Sequence, residues 1–265
     1  MATIERAMGR WKWTPAGWER VLQPVAEETP LTLYLNGAEF VTIAVTPDHV
    51  PDLVLGFLAS EGVIRKPDEV SILQWRPEDQ EVWVRVPNLT AEQWSRFGRR
   101  ALGVCCGKSR PAIYLEADAA TTRPVPVQEG LLTVEDVQFL SGILADRHHL
   151  DPTGGLHMAA LVDPPRRVLA IRADVGRHNA LDKLFGYALR LGEMQDNRVV
   201  VFSGRISSEV LLKVVKMRGG VIVSNAGPTS LGVELAEELG VTAIGFARGS
   251  EFSIYTHPQR VVVPA

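Results

Sequence analysis

Val199-Val-Val-Phe202-Ser203-Gly204-Arg205, continuing as Ile206-Ser207-Ser208-Glu209-Val210-Leu211, decides the fold. Four bulky apolar residues in a row suit a strand buried on both faces. Ser-Gly-Arg interrupts the run. From Ser207 the apolar residues return as Val210, Leu211 and Val214, the spacing of one helix face. The same order recurs on both sides. Residues 168–171 are apolar and lead through Arg172-Ala-Asp-Val-Gly-Arg-His-Asn179 into a helix carrying Leu181, Leu184, Ala188 and Leu191. Residues 221–223 lead through Ser224-Asn-Ala-Gly-Pro-Thr-Ser230 into a helix carrying Leu235 and Leu239. Residues 241–246 lead into Ala247-Arg248-Gly249-Ser250. Repeated strand–loop–helix units mark a largely parallel sheet covered by helices. Residues 129–265 are therefore expected to form an α/β domain with a mainly parallel sheet.

In such a sheet the loops after the strand C-termini lie along one edge, where ligands bind. Here those loops hold Asp174, Gly176, Arg177, His178 and Asn179; then Ser203, Gly204 and Arg205; then Ser224, Asn225, Gly227 and Thr229; then Arg248, Gly249 and Ser250. Glycines let backbone approach a ligand, helix N-termini offer free N–H groups, and arginines pair with phosphate. The edge reads as an anion site for a nucleotide or pyrophosphate, although no loop is a Walker motif or a G-x-G-x-x-G fingerprint. His157 and His178 are candidate acids or bases near neutral pH, or loop anchors.

The N-terminal half reads differently. Residues 31–35 alternate, Asn36-Gly37 is a hairpin turn, and residues 40–45 continue as a second strand. Thr46-Pro47-Asp48 is expected to open a helix, with Thr46 or Asp48 as its cap, running through Leu53, Leu55, Phe57 and Leu58 to Glu61-Gly62. Strands at 71–75 and 81–86 and a short helix at 91–97 complete a small α+β unit over residues 30–120. Residues 121–128, with two prolines, read as a linker. Thr133-x-x-Asp136 resembles a capping box ahead of a helix that ends in Asp146-Arg147-His148-His149. Residues 1–29 form an arm in which Trp11, Trp13 and Trp18 are interleaved with Arg10, Lys12 and Arg20. The general preference of Trp for burial favours an arm packed on the body over a free interaction arm.

The only cysteines are adjacent, in Gly103-Val104-Cys105-Cys106-Gly107-Lys108. Consecutive Cα atoms lie about 3.8 Å apart, below the usual disulfide range. Structural zinc sites space their cysteines by two to four residues and need four ligands, so no structural metal is expected. Thiol chemistry or burial remains. Arg99, Arg100, Lys108 and Arg110 would favour the thiolate, the form that attacks sulfur or carbon.

With a net charge of −3 over 265 residues, 46% apolar and 22% charged, the chain is not expected to present a broad basic surface for duplex nucleic acid, which leaves room for a local basic cleft. It shows neither a signal-peptide run at Met1 nor an apolar stretch that would span a membrane. The reducing cytoplasm is the expected compartment for an adjacent, unpaired cysteine pair.

Several motifs together resemble the FdhD family of formate dehydrogenase accessory sulfurtransferases. They are Gly154-Gly-Leu-His-Met-Ala-Ala-Leu, Asp174-Val-Gly-Arg-His-Asn-Ala-Leu-Asp-Lys, Ser203-Gly-Arg-Ile-Ser-Ser-Glu, Pro228-Thr-Ser, Gly245-Phe-Ala-Arg-Gly and Tyr255-Thr-His-Pro, with Leu55-Gly-Phe-Leu-Ala-Ser-Glu-Gly62 in the N-terminal half. The resemblance implies a cytidine-deaminase-like α/β/α fold for the C-terminal domain. The H-x-E and P-C-x-x-C signature of deaminase zinc chemistry is missing. It also implies a sulfur carrier. A cysteine desulfurase would load a cysteine persulfide, and the sulfur would pass to a molybdenum or tungsten bis-guanine-dinucleotide cofactor destined for formate dehydrogenase.

On that reading Arg177, Arg205 and Arg248 hold phosphates, and Ser203, Asn225 and Thr229 orient guanine or ribose beside Gly204. His178 and Asp174 shape the site, and the stretch Phe246-Ala247-Arg248-Gly249-Ser250-Glu251 touches the nucleotide. A homodimer would present two such edges to the two halves of the cofactor.

Two departures stand out. The family pattern Cys-Gly-Val-Cys-Gly-Lys places its carrier cysteine first, where this chain has Gly103. The carrier is therefore Cys106, whose register with Gly107-Lys108 is intact, or Cys105. Ser250-Glu251 replaces the family's frequent Gly-Arg, putting an acid beside the anion site. A cofactor chaperone that binds without transferring sulfur is the alternative reading.

Overall fold

The computed structural model describes residues 5–90, 122–145 and 151–262. The cysteine pair, the short helix expected at 91–97 and the histidines at 148 and 149 lie outside the described residues.

The largest sheet has six strands: β8 (His157–Asp163), β9 (Arg167–Asp174), β10 (Arg198–Phe202), β11 (Gly219–Ser224), β12 (Thr242–Arg248) and β13 (Glu251–Ile254), in the order β13-β12-β11-β10-β8-β9. Its centre is the parallel array that the repeats imply, with β10 beside β11 and β11 beside β12. Its flanks are antiparallel. β8 returns against β10 and pairs with β9, and β13 folds back on β12. All five residues of β10 are buried, as a doubly covered strand requires. Alternate side chains serve two cores. Val200 and Phe202 face one cluster, and Val199 and Val201 face the other.

A short strand β7 (Leu132–Thr133), paired in parallel with β14 (Val261–Val262), leads into helix α2 (Val134–Ala145), which packs Val137 and Leu140 into the second core. Its capping box forms as read: Thr133 N donates to Asp136 Oδ2 at 2.9 Å, and Asp136 N donates to Thr133 Oγ1 at 3.1 Å. On the other face lie α3 (Arg177–Leu191) and α4 (Ser208–Lys216), and α5 (Ser230–Glu238) follows β11.

A second sheet, in the order β4-β3-β6-β5, is built from β3 (Thr29–Leu35), β4 (Ala38–Val45), β5 (Ile72–Arg76) and β6 (Glu81–Arg85). Helix α1 (Val50–Ser60) joins it to the large domain by crossing α3 at glycines. A Cβ on Gly56 would stand 1.8 Å from the Asp182 carbonyl oxygen, and one on Gly186 1.8 Å from that of Asp52. The two helix backbones therefore touch, and one apolar core runs through both parts of the chain.

The N-terminal arm departs from expectation. β1 (Glu5–Thr14) and β2 (Gly17–Ala26) form a two-stranded ribbon of their own, paired from Glu5↔Ala26 to Thr14↔Gly17. Trp11, Trp13 and Trp18 are 66%, 63% and 67% exposed, so they do not pack on the body. A regular hairpin holds every side chain perpendicular to the ribbon, and this ribbon stands clear of the rest of the fold.

Candidate functional site

The strand registers put Asp174, His157, Phe202 and Ser224 at one edge of the large sheet. Asp174, fully buried, organises the first loop. Its carboxylate accepts from Gly176 N at 2.8 Å, Asn179 Nδ2 at 2.9 Å and Thr46 N at 3.1 Å, and pairs with Lys183 Nζ at 2.8 Å. Burial pushes its pKa above the ordinary carboxylate value, against the pull of Lys183. Lys183, also fully buried, donates to the carbonyls of Thr46 at 3.0 Å and Ala173 at 2.9 Å and pairs with Asp48.

Thr46 and Asp48 therefore do not cap α1. The residue before α1 is His49, with no side-chain cap, and Thr46 Oγ1 instead accepts from Val175 N at 3.2 Å. The local pattern suggested a cap, but a buried carboxylate and ammonium on the large domain bind these groups more strongly.

This network fixes the start of α3. Gly176 precedes it with no side-chain cap, and Ser207 likewise precedes α4 without one. Two helix N-termini thus reach the edge with their first N–H groups unclaimed by a cap, the arrangement that binds anions. Gly204 lies between them. A Cβ there would stand 2.8 Å from the Phe202 ring, so the ring requires the glycine, and 3.7 Å from Arg177 Cδ, which places the Arg177 side chain beside it. Arg177 and Arg205 have no carboxylate partner among the described residues. His178 of α3 and Glu209 of α4 face each other, with Nε2 3.3 Å from Oε2.

The remaining loops are laced together. Ser203 Oγ accepts from Met158 N at 2.8 Å, and Ser224 Oγ donates to the Gly204 carbonyl at 2.7 Å. Thr229 caps α5, its Oγ1 accepting from Gly232 N at 3.2 Å. Arg248 Nε donates to the Asn225 carbonyl at 3.2 Å. Phe246 sits at φ 52°, a conformation that bulky side chains rarely adopt, with its N–H on the Ala226 carbonyl at 3.2 Å and its ring over Gly227. Ala247, beside it, points into the second core.

Ser203, Gly204, Asn225, Phe246 and Arg248 are thereby laced into neighbouring loops and strands, Thr229 joins them through its N–H on the Ile206 carbonyl at 3.0 Å, and Arg177 and Arg205 flank Gly204. Gly249 and Ser250 turn toward α2, where Ser141 Oγ reaches the Gly249 carbonyl at 3.4 Å and Gln138 Nε2 that of Ser250 at 3.5 Å. Glu251 is the ladder partner of Arg248. Among the described residues no three His, Cys, Asp or Glu side chains converge as metal ligands.

A family model described as the FdhD/NarQ family matches residues 26–262. The chain belongs to the FdhD/NarQ family. A Bacillus subtilis relative named sulfur carrier protein FdhD is 40% identical over 257 residues, 95% of each chain. One of the same name from Staphylococcus haemolyticus is 43% identical over 237 residues, 88% of each chain. A crystal structure from Desulfotalea psychrophila, described as a formate dehydrogenase accessory protein, superposes with a TM-score of 0.75 at 25% identity, covering 98% of this chain and all of that one.

Membership in the FdhD/NarQ family bears out the resemblance drawn from the motifs. Cys105 and Cys106, the carrier candidates, lie outside the described residues. Glu209 was not singled out from the sequence, because nothing local marks a carboxylate in a first helical turn as facing a histidine 31 residues earlier. No helix among the described residues is long and apolar enough to cross a membrane.

Proposed function

We propose that this chain is a sulfur carrier that accepts persulfide sulfur from a cysteine desulfurase and passes it to a molybdenum or tungsten bis-guanine-dinucleotide cofactor needed by formate dehydrogenase. The observation that carries the nucleotide half of this reading is the pair of uncapped helix N-termini flanking Gly204, with Arg177 and Arg205 beside them. The sulfur half rests on the family and on the names of its members. A thiolate of Cys106 or Cys105 attacks the outer sulfur of the desulfurase persulfide. The S–S bond breaks, the desulfurase cysteine leaves as thiolate, and the carrier holds the persulfide. When the sulfur moves on, the carrier thiolate is regenerated. The reducing cytosol is the compartment in which such a thiol stays available. The C-terminal domain takes the part of a cytidine-deaminase-like nucleotide-binding unit.

Arg177 and Arg205 grip phosphate, and the free N–H groups of α3 and α4 add dipole and hydrogen bonds. Arg248 is the weaker contributor, because cross-strand neighbours share a face and its neighbour is the Glu251 carboxylate. Asn225 and Thr229 orient guanine or ribose, and Phe246 offers a half-exposed ring at the site's rim. A homodimer presents two edges to the two halves of the cofactor, and two-fold pairing is the commonest oligomeric arrangement.

GDP stands in for half of the cofactor. Arg177→Ala is expected to weaken GDP binding by about 10- to 100-fold, the loss of a charge-assisted contact, with a smaller loss for Arg248→Ala. Calorimetric titration checks both. Wild-type affinity in Arg177→Ala would remove the phosphate role from this edge. A chaperone that transfers no sulfur would bind GDP equally well, so this titration tests the site, and sulfur loading tests the transfer.

A further inference from the structure

The exposed ribbon is unused by this mechanism, and its two faces differ. Residues opposed across an antiparallel ladder share a face. The register therefore gathers Trp11, Trp13, Trp18 and Leu22 on one side, and Arg6, Arg10, Lys12 and Glu19 on the other. Leu22 is 77% exposed, and Trp13 and Trp18 meet edge to face at 5.3 Å between ring centres. A two-stranded ribbon is marginal in water without a partner for its apolar face. Three tryptophans at this exposure offer on the order of 400 Å² per copy, about half of the ~800 Å² that each partner contributes to a standard interface.

We propose that this ribbon joins two copies of the chain, apolar face against apolar face, with the tip of each toward the base of the other. The charges carry the choice of partner. The apolar face holds two charged residues, Glu5 at the base and Arg20 near the tip. A two-fold axis across the ribbon brings each Glu5 to the partner's Arg20. On the opposite face the charges pair within the ribbon, Arg6 with Glu27 at 3.2 Å and Lys12 with Glu19 at 3.5 Å, so Glu5 and Arg20 are the charges left to face a partner copy.

The base also offers a receptacle for the tip indoles. A cleft of about 330 Å³ is lined by Pro47, Trp75 and Pro77 together with Glu5 and Glu27. The ribbon is tied to the ligand edge as well. Ala26 at its base lies against Gly155, where a Cβ would stand 3.2 Å from the Ala26 methyl, and β8 begins at His157.

This inference rests on the homodimer of the proposed function and adds the surface that forms it. Sedimentation velocity of the full chain at micromolar concentration tests it, with Trp13→Ser/Trp18→Ser, Arg20→Glu and the swap Glu5→Arg/Arg20→Glu run alongside. Trp13, Trp18 and Arg20 are exposed and Glu5 is half-buried at the ribbon's base, so folding is retained, and circular dichroism verifies that. The expected results are a wild-type dimer, association weakened at least tenfold toward monomer in the tryptophan and Arg20→Glu variants, and a dimer again in the swap. A wild-type dimer indifferent to every ribbon variant overturns the ribbon assignment and leaves the homodimer standing. A wild-type monomer overturns both. A monomer that co-sediments with phosphatidylglycerol vesicles only while Trp13 and Trp18 are present assigns the face to a lipid surface and likewise overturns the proposal.

Discussion

Lys183→Met is expected to destabilise the protein by about 3–5 kcal/mol, the cost of stranding a buried charge, and to lower its melting temperature by roughly 10 °C. Lys183 and Asp174 are both fully buried, and the ammonium is the countercharge at 2.8 Å. Methionine fills the same volume without donating to the Thr46 and Ala173 carbonyls. Asp174 must then take up a proton or remain as an unpaired anion.

The pH dependence follows in sign. Burial already raises the Asp174 pKa in the folded state, and removing Lys183 raises it further. A carboxyl that binds its proton more tightly folded than unfolded favours the fold at low pH. That contribution is lost as pH rises from the unfolded pKa, near 4, through the higher folded one. The variant should therefore be least impaired in acid and most impaired at neutral pH. Asp174→Asn added to Lys183→Met should recover part of the loss at neutral pH. Urea denaturation at several pH values measures all three. Equal loss at every pH would mean that the pair contributes packing alone.

Gly56→Ala is expected to cost about 3 kcal/mol, the upper part of the range for overpacking, although alanine is the better helix former by about 1 kcal/mol. The new methyl would meet the Asp182 carbonyl oxygen at 1.8 Å and the Gly186 nitrogen at 2.7 Å. Both are helix backbone, so relief comes only by separating α1 from α3. Separation strains the ties across the same contact: Ser60 Oγ to Asp182 at 2.6 Å, and Arg172 with Arg190 on the buried Asp52 at 2.8 and 3.0 Å. It also shifts the start of α3, and so Arg177, so GDP affinity should fall along with stability. Gly142→Ala on α2 is the control. Nothing lies within 4 Å of that Cβ, and the substitution should stabilise by about 1 kcal/mol. Thermal melts of the two variants should therefore move in opposite directions.

The strand–loop–helix units of the C-terminal part were legible because doubly buried strands are written as apolar runs, and their helices keep a regular apolar spacing. β8 was not. It emerges directly from the Gly154-Gly155 turn, forms a hairpin with β9 and inserts between β9 and β10, and no short-range pattern reports its pairing with β10, which follows only after α3. The hairpin at Asn36-Gly37 and the box at Thr133 and Asp136 formed as read, since both depend on residues within a few positions of each other. Thr46 and Asp48 misled for the opposite reason. Their partners, Asp174 and Lys183, lie far along the chain, and long-range electrostatics displaced a local cap. The ribbon was misread because the average preference of Trp for burial says nothing of a hairpin that leaves the body. At the site, the loop residues were visible from their glycines and arginines. Which hydroxyls are already engaged, as Thr229 is at α5, became visible only with the fold.

The central claim is sulfur transfer, and intact mass tests it most directly. The purified chain is incubated with a cysteine desulfurase and cysteine, as wild type, Cys105→Ala and Cys106→Ala. The account predicts a gain of one sulfur that thiol reductant removes, lost in one of the two variants, which names the carrier. No gain in the wild type, with the desulfurase shown to be active, would contradict it and leave a cofactor-binding chaperone as the reading of this edge.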